Sequence, residues 1–428
     1  MRTFKKLIFH LILLFISFWL IFSLSCNINP SSNSNNSKSD DTTIINTPPT
    51  VLNSDKWVVA YHPLYQWGYI PDDKFPWDNI THLILGYLWA SETDTGNGYT
   101  LVMPDGTAIT LNEWINMAKD YIEEGHQKGK IVNCMLGGEG SNLDLRWNHA
   151  TENDALVTAF ANNIKSILKD QAGFDGVDLD WEENIDYTGF INLTAKLREV
   201  WPEAIITIPT QPAGLDANDF APAKDYIDAF MPMSYLSFIQ WGGWILPMPL
   251  TPIYNYSTNH YSIDTTLERW TTAGVSASKI ITGIGGFGCV WGDNNPYDGV
   301  GPNKPYCSTL NSNPEGEVQA LASDNIVTQK WLNELLNNNP SKLIETWDDI
   351  GKCSYWHSSS INRVDMAVSN FLGSDHYISL VFYETPRSIS EKVDYINKNN
   401  MKGMMFWTLS QMIDENNSFP IVEHIVFK

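Results

Sequence analysis

From Trp57 onward, short apolar runs alternate with amphipathic stretches. The runs are WVVAY (57–61), ITHLILGYLWA (80–90), KIVNCML (130–136), GFDGVDLDW (173–181), AIITIP (204–209), DAFMPMSY (228–235), KIITGIGGF (279–287) and GMMFW (403–407). Between them lie segments with apolar positions at helical spacing, such as 111–129 and 155–173. Near-continuous apolar strands alternating with helices predict a parallel sheet, and eight such repeats predict a (β/α)8 TIM barrel. Residues 288–402 separate the last two strands, far more than a loop needs. A small α+β subdomain is therefore expected at about 289–381, inserted between strands 7 and 8.

The N-terminal pattern differs. Arg2, Lys5 and Lys6 precede an apolar run, Leu7 to Leu24, which ends in Ser23-Leu24-Ser25-Cys26. A charged start, an apolar centre and small residues at a cleavage point describe an export signal over residues 1–26. The run is about long enough to act instead as an uncleaved anchor. Cys26 after Ser25 resembles a bacterial lipoprotein box. A lipid on Cys26 would then tether the protein to a membrane, whereas ordinary cleavage would release it. Residues 27–52 are rich in Ser, Asn, Asp, Thr and Pro and read as a flexible linker to a folded body at 53–428. The expected location is extracellular or at the cell surface, and the expected form a monomer.

Charge narrows the partners. Against 27 Lys and Arg stand 49 Asp and Glu, a formal net charge of −22. That balance repels phosphate backbones and gives no basis for a nucleic-acid partner. With 43% hydrophobic residues the chain has material for a large core. Aromatic residues are abundant, with 17 Trp, 18 Tyr and 18 Phe. They serve either as core filler or as flat surfaces for sugar rings. The cysteines form no CxxC and the histidines no metal-spaced pair, so no metal and no cofactor are expected. Cys134 falls inside a strand pattern and reads as a buried thiol. Cys289, Cys307 and Cys353 share one region, where a single bridge could form in an exported protein.

The chemistry concentrates in Asp175-Gly176-Val177-Asp178-Leu179-Asp180-Trp181-Glu182. Alternation along a strand directs Asp178, Asp180 and Glu182 into the barrel, and Val177, Leu179 and Trp181 toward the helices. Three stacked carboxyls repel one another, so at least one holds its proton near neutral pH, as a general acid must. Barrel catalysis sits at the C-terminal strand ends, which places Glu182 outermost.

This segment resembles the DGxDxDxE signature of glycoside hydrolase family 18, the chitinases, and neighbouring strands agree in order. WVVAYHPLY is similar to the family's first strand, with Tyr61 in its aromatic position. NCMLGGEG is similar to the third, with Gly137-Gly138 as its glycine pair. FMPMSY is similar to the sixth, giving Met233 and Tyr235, and MKGMMFWTLSQ to the eighth, ending in Trp407. The resemblance implies a retaining glycosidase acting on β-1,4 bonds between N-acetylglucosamine units, in chitin or chitooligosaccharides, by substrate-assisted catalysis. Glu182 would protonate the glycosidic oxygen. Asp180 would orient the 2-acetamido group, Asp178 would set the state of Asp180, and Tyr235 would bond the acetamido oxygen. Trp407 would floor the reacting sugar, with Tyr61, Met233, Asp175 and Glu384 as further substrate contacts. Trp241 and Trp244, in a Gly/Pro-rich loop after the sixth strand, are candidates for sugar stacking. Met135 stands where many members carry Ser, and Leu236 where many carry Asp. Leu236 keeps open a chitin-binding lectin that does not hydrolyse, and peptidoglycan or N-glycan cores remain alternative substrates.

Overall fold

The computed structural model describes residues 55–427, apart from 141–142, 237–238, 241–243, 246–248, 256–260, 294–318, 321–327 and 358–376. The expected signal, the linker, Cys26, Cys307 and Trp241 lie outside the described residues. Barrel strands β1 to β7 are Trp57–Pro63, His82–Ala90, Ile131–Gly137, Gly176–Asp180, Ile205–Thr210, Ala229–Pro232 and Ile281–Gly285. Five further strands, β8 to β12, follow in the interval before the last barrel strand, β13 (Gly403–Trp407). The barrel order is β7-β13-β1-β2-β3-β4-β5-β6, all parallel, and a bridge between Phe230 and Ile280 brings the two ends together.

Alternation divides the side chains into two cores. Val59, Tyr61, Ile84, Met135, Met231, Met233, Ile281 and Met405 pack inside the barrel. Their neighbours in sequence, such as Val58, Ala60, Leu83, Leu85, Leu136 and Met404, pack outward under the helices. Those helices begin where local chemistry satisfies their first amides. In α1 (Leu111–Gln127), Thr110 and Glu113 form a reciprocal capping box. Helix α2 is Leu143–Ala150, and α3 (Asp154–Lys165) is capped by Asn153. Helix α4 is Tyr187–Val200 and α5 is Ile263–Thr272.

Strands β8 (Cys289–Asp293), β9 (Gln319–Ala320), β10 (Ile344–Asp348), β11 (Cys353–His357) and β12 (Tyr377–Phe382) form a separate antiparallel sheet ordered β9-β8-β12-β11-β10. Helix α6 (Gln329–Asn338) lies in the same interval. Tyr355 of β11 and Phe382 of β12 join the barrel's inner cluster with Met233, Tyr235 and Phe287, so this sheet packs against the barrel interior. Cys353 is a free, buried thiol, which removes it from the bridge considered among the three cysteines; Cys134 is likewise free and buried.

A charged joint follows the sheet. Glu384 lies two residues after β12, and Lys392 lies in α7 (Pro386–Lys398). Lys392 Nζ donates to Glu384 Oε2 at 2.8 Å and Ser388 Oγ donates to the same oxygen at 2.5 Å, with both charged side chains almost wholly buried. Removing one member leaves the other charge stranded in the interior. Lys392→Met is expected to lower unfolding free energy by about 3–5 kcal/mol, read by urea denaturation. A loss no larger than that of the exposed Lys398→Met would contradict this.

Candidate active site

The site is built on β4 and the turn that follows it. Val177, Leu179 and Trp181 are buried in the outer core, so the intervening acids face the barrel axis. Trp181 fixes the last of these choices. Its ring stacks on Trp147 at 5.3 Å and 11°, and its indole N–H donates to Glu183 O at 3.1 Å. Although β4 ends at Asp180, this anchor carries the alternation one step further and turns Glu182 inward.

Asp178 is the deepest acid and fully buried. Tyr61 Oη donates to its Oδ2 at 2.7 Å, and Thr207 Oγ1 donates to its Oδ1 at 2.6 Å. Asp180, 5% exposed, has an Oδ1 with no hydrogen-bond partner among the described residues. Glu182 is half-buried above it. On the neighbouring strand Gly137 pairs with Asp180, and Gly138 N donates to Asp180 O at 2.8 Å. Both glycines have φ above +100°, and a Cβ on Gly137 would lie 2.1 Å from Asp180 O. Only glycine permits that approach.

Crowding forces protons onto the ladder. Inward side chains two residues apart lie roughly 6.6 Å from each other along a strand. At an effective dielectric of about 20, two charges so placed repel by about 2.5 kcal/mol, nearly two pKa units. Burial adds to this. It pushes Asp178 up to about 7 despite the opposing hydrogen bonds from Thr207 and Tyr61. Burial, then Glu182, Asp178 and Glu139, hold Asp180 well above the carboxylate range. Burial, then the charges of Glu139 and Glu183, push Glu182 up to about 8. The Tyr61 phenol is raised well above its ordinary value, first by burial and then by Asp178, and stays a fixed donor.

Several other expected residues gather here. Tyr235 is buried, on a single helical turn (Ser234–Leu236) rather than on the sixth strand, which ends at Pro232. The proline has no N–H to continue the ladder. The Tyr235 ring meets Phe287 edge-on at 5.8 Å, and Met233 lies in the same cluster. Trp407 ends β13, half-buried, 5.3 Å from the Tyr61 ring. Tyr61 is in the site, but its hydroxyl is committed to Asp178.

Two expected contacts are elsewhere. Asp175 precedes β4, at the end of the strand opposite Glu182. Its Oδ2 accepts from Val132 N at 2.8 Å and lies 2.9 Å from His126 Nε2. It therefore fastens β3 and α1, away from the end of the strand where Glu182 lies. Glu384 is occupied by Lys392 and Ser388 and serves the joint already described. Trp244 falls in a two-residue strand, Trp244–Ile245, and Trp241 lies outside the described residues.

The sequence reading overlooked Thr207, Glu139 and Tyr87. Thr207 faces Asp178 through the register of β4 and β5, which the run of residues does not disclose. Glu139 follows the glycine pair, where the paired register brings it beside the acids. Tyr87 packs against the inner cluster near the end of β2, with nothing in its run to single it out.

The raised carboxyls bear on stability with a definite sign. An unfolded Glu titrates near pH 4.3 and Glu182 near 8, so between those values the folded chain binds more protons and stability falls as pH rises. Glu182→Gln removes this loss. The variant's melting temperature is expected to match wild type near pH 4 and to exceed it increasingly up to pH 8, by thermal denaturation. A gap that stays constant with pH would refute this.

Comparison with known proteins agrees with the geometry. The chain is 23% identical to an endochitinase of Manduca sexta over 362 residues, covering 79% of this chain and 59% of that protein. It is 23% identical to endochitinase 1 of Metarhizium robertsii, covering 81% and 78%. It is 26% identical to chitinase C of Streptomyces lividans, covering 78% and 52%. The chain thus spans between about half and four-fifths of the length of these relatives. Among solved structures, a chitinase from Rhizomucor miehei superimposes with a TM-score of 0.59 at 20% identity, covering 86% of this chain and 99% of that one. The second catalytic domain of a group II chitinase from Ostrinia furnacalis gives 0.64 at 17%, covering 87% and 96%. At such identities the superpositions speak for the barrel fold alone. The family description "Glycosyl hydrolases family 18" matches residues 57–411, nearly the whole described body, and the chain belongs to that family.

Proposed function

We propose that this protein is an exported, retaining glycosidase that hydrolyses β-1,4 bonds between N-acetylglucosamine units in chitin or chitooligosaccharides. The observation that carries the reading is the ladder itself: a clamped Asp178, an Asp180 with an oxygen lacking a partner among the described residues, and a Glu182 whose carboxyl burial and neighbouring charges push up to about 8. Relatives named endochitinase and chitinase support the substrate class.

In this mechanism Glu182 gives its proton to the glycosidic oxygen as the bond to the anomeric carbon breaks. The sugar's own 2-acetamido oxygen attacks that carbon from the other face, forming an oxazolinium ion. The free oxygen of Asp180 accepts the acetamido N–H, which fixes the nucleophile and offsets the developing positive charge. Thr207 and Tyr61 keep Asp178 oriented beneath it. Glu182, now a carboxylate, takes a proton from water, and the water opens the ring with overall retention. Tyr235 bonds the acetamido oxygen and Trp407 supplies the floor. The chain would act as a monomer without a cofactor. The N-terminal segment would export it and, if Cys26 is lipidated, hold it at the cell surface.

A reducing-end assay on N-acetylglucosamine oligomers tests the acid. Glu182→Gln is expected to lower kcat by at least 10²–10⁴-fold, and fully deacetylated oligomers should not be cut. Turnover of deacetylated oligomers at the acetylated rate would remove the acetamido group from the mechanism. Since the acid must carry its proton, kcat/KM should fall about tenfold per unit above pH about 8. An alkaline limb starting near pH 5 would mean another group delivers the proton.

A further inference from the structure

Trp407 is held from both sides of its own backbone. Its carbonyl oxygen accepts from Gly286 N at 2.7 Å. The next amide, Thr408 N, donates to Gln411 Oε1 at 2.9 Å. Gly286 lies so close to Thr408 that a Cβ there would sit 2.4 Å from Thr408 O and 3.1 Å from Thr408 N, the nitrogen of this peptide. The two partners share a third group. Tyr383 Oη lies 2.9 Å from Gly286 O and 3.1 Å from Gln411 O, and its hydroxyl donates into that pair of carbonyls. Tyr383 is 2% exposed and directly follows Phe382, the last residue of β12. One hydroxyl therefore joins the end of barrel strand seven and the turn after barrel strand eight to the residue that leaves the inserted sheet.

We propose that Tyr383 is a positioning residue for Trp407, using its hydroxyl to lock the peptide that aims the indole and coupling that aim to the inserted sheet. Burial removes the alternative of a solvent-facing tyrosine. The hydroxyl is buried with the two carbonyls it serves, so its loss removes the donor that Gly286 O and Gln411 O share. The consequence falls on Trp407 because both carbonyls belong to the residues that hold it. The role rests on the reading of Trp407 as the floor of the reacting sugar. It adds that the floor is set by a residue with no substrate contact of its own.

A double-mutant cycle tests it, with Tyr383→Phe and Trp407→Ala separately and together, on a chromogenic N-acetylglucosamine oligomer. Tyr383→Phe keeps the ring and deletes only the hydroxyl. Its kcat is expected to fall about tenfold with KM changing less, as for a misplaced group in an otherwise intact site. In the Trp407→Ala background the same change should alter kcat less than twofold. An equal loss in both backgrounds would show that the hydroxyl acts elsewhere and would overturn the proposal, as would full kcat in the single Tyr383→Phe variant. Trp407→Ala alone reads the floor separately: if it turns over like wild type, that assignment fails whatever the tyrosine does.

Discussion

The strict two-residue period of an extended chain governs this site, and Trp181 is where the period is enforced. Hydrogen bonding of the barrel ladder ends at Asp180, so nothing in the sheet obliges Glu182 to continue pointing inward. The indole of Trp181, stacked on Trp147 and bonded to Glu183 O, continues the alternation beyond the ladder. A shift of one residue there would send the outermost carboxyl into the helix layer and bring an indole into the cavity. The acid's position is thus secured by an apolar contact on the opposite face of the strand.

Because the geometry is fixed from outside, the carboxyls can be held in an arrangement they would not choose. Asp178 receives two short hydrogen bonds and still titrates high, since burial outweighs them. Asp180 keeps an oxygen without a partner in the described protein, a cost of about 1–3 kcal/mol for a buried polar atom. A substrate N–H of the kind proposed would satisfy that oxygen. Local instability and complementarity to a ligand are then the same feature seen in two states of the protein.

Much of this was legible in the sequence, for identifiable reasons. Most barrel strands were visible as dense apolar runs, and β4 with its inward acids was visible because alternation needs no tertiary information. The errors share a different character. The sixth strand was read through to Tyr235, although Pro232 ends the ladder. Asp175 was grouped with the acids above it by proximity in sequence, yet it sits below the strand and serves Val132 N. Glu384 is expected as a substrate contact from the family resemblance, whereas its carboxylate is held by Lys392, a turn and more into α7. Contacts between strands far apart in sequence, such as Thr207 with Asp178, become readable only once register is known.

The inserted sheet completes the picture. Tyr355 and Phe382 bring it into the barrel's inner cluster with Tyr235 and Met233. Phe382, Tyr383 and Glu384 are consecutive, and each faces a different partner: the inner cluster, the carbonyls around Trp407, and the buried Lys392. Three successive residues cannot all share one face of an extended chain, so the segment fastens in three directions at once. Such a crossing resists hinging more than a linker of small polar residues would. The inserted sheet and Trp407 are therefore expected to move as one body, which suits the reaction proposed above, with the sugar held while its acetamido oxygen turns onto the breaking bond.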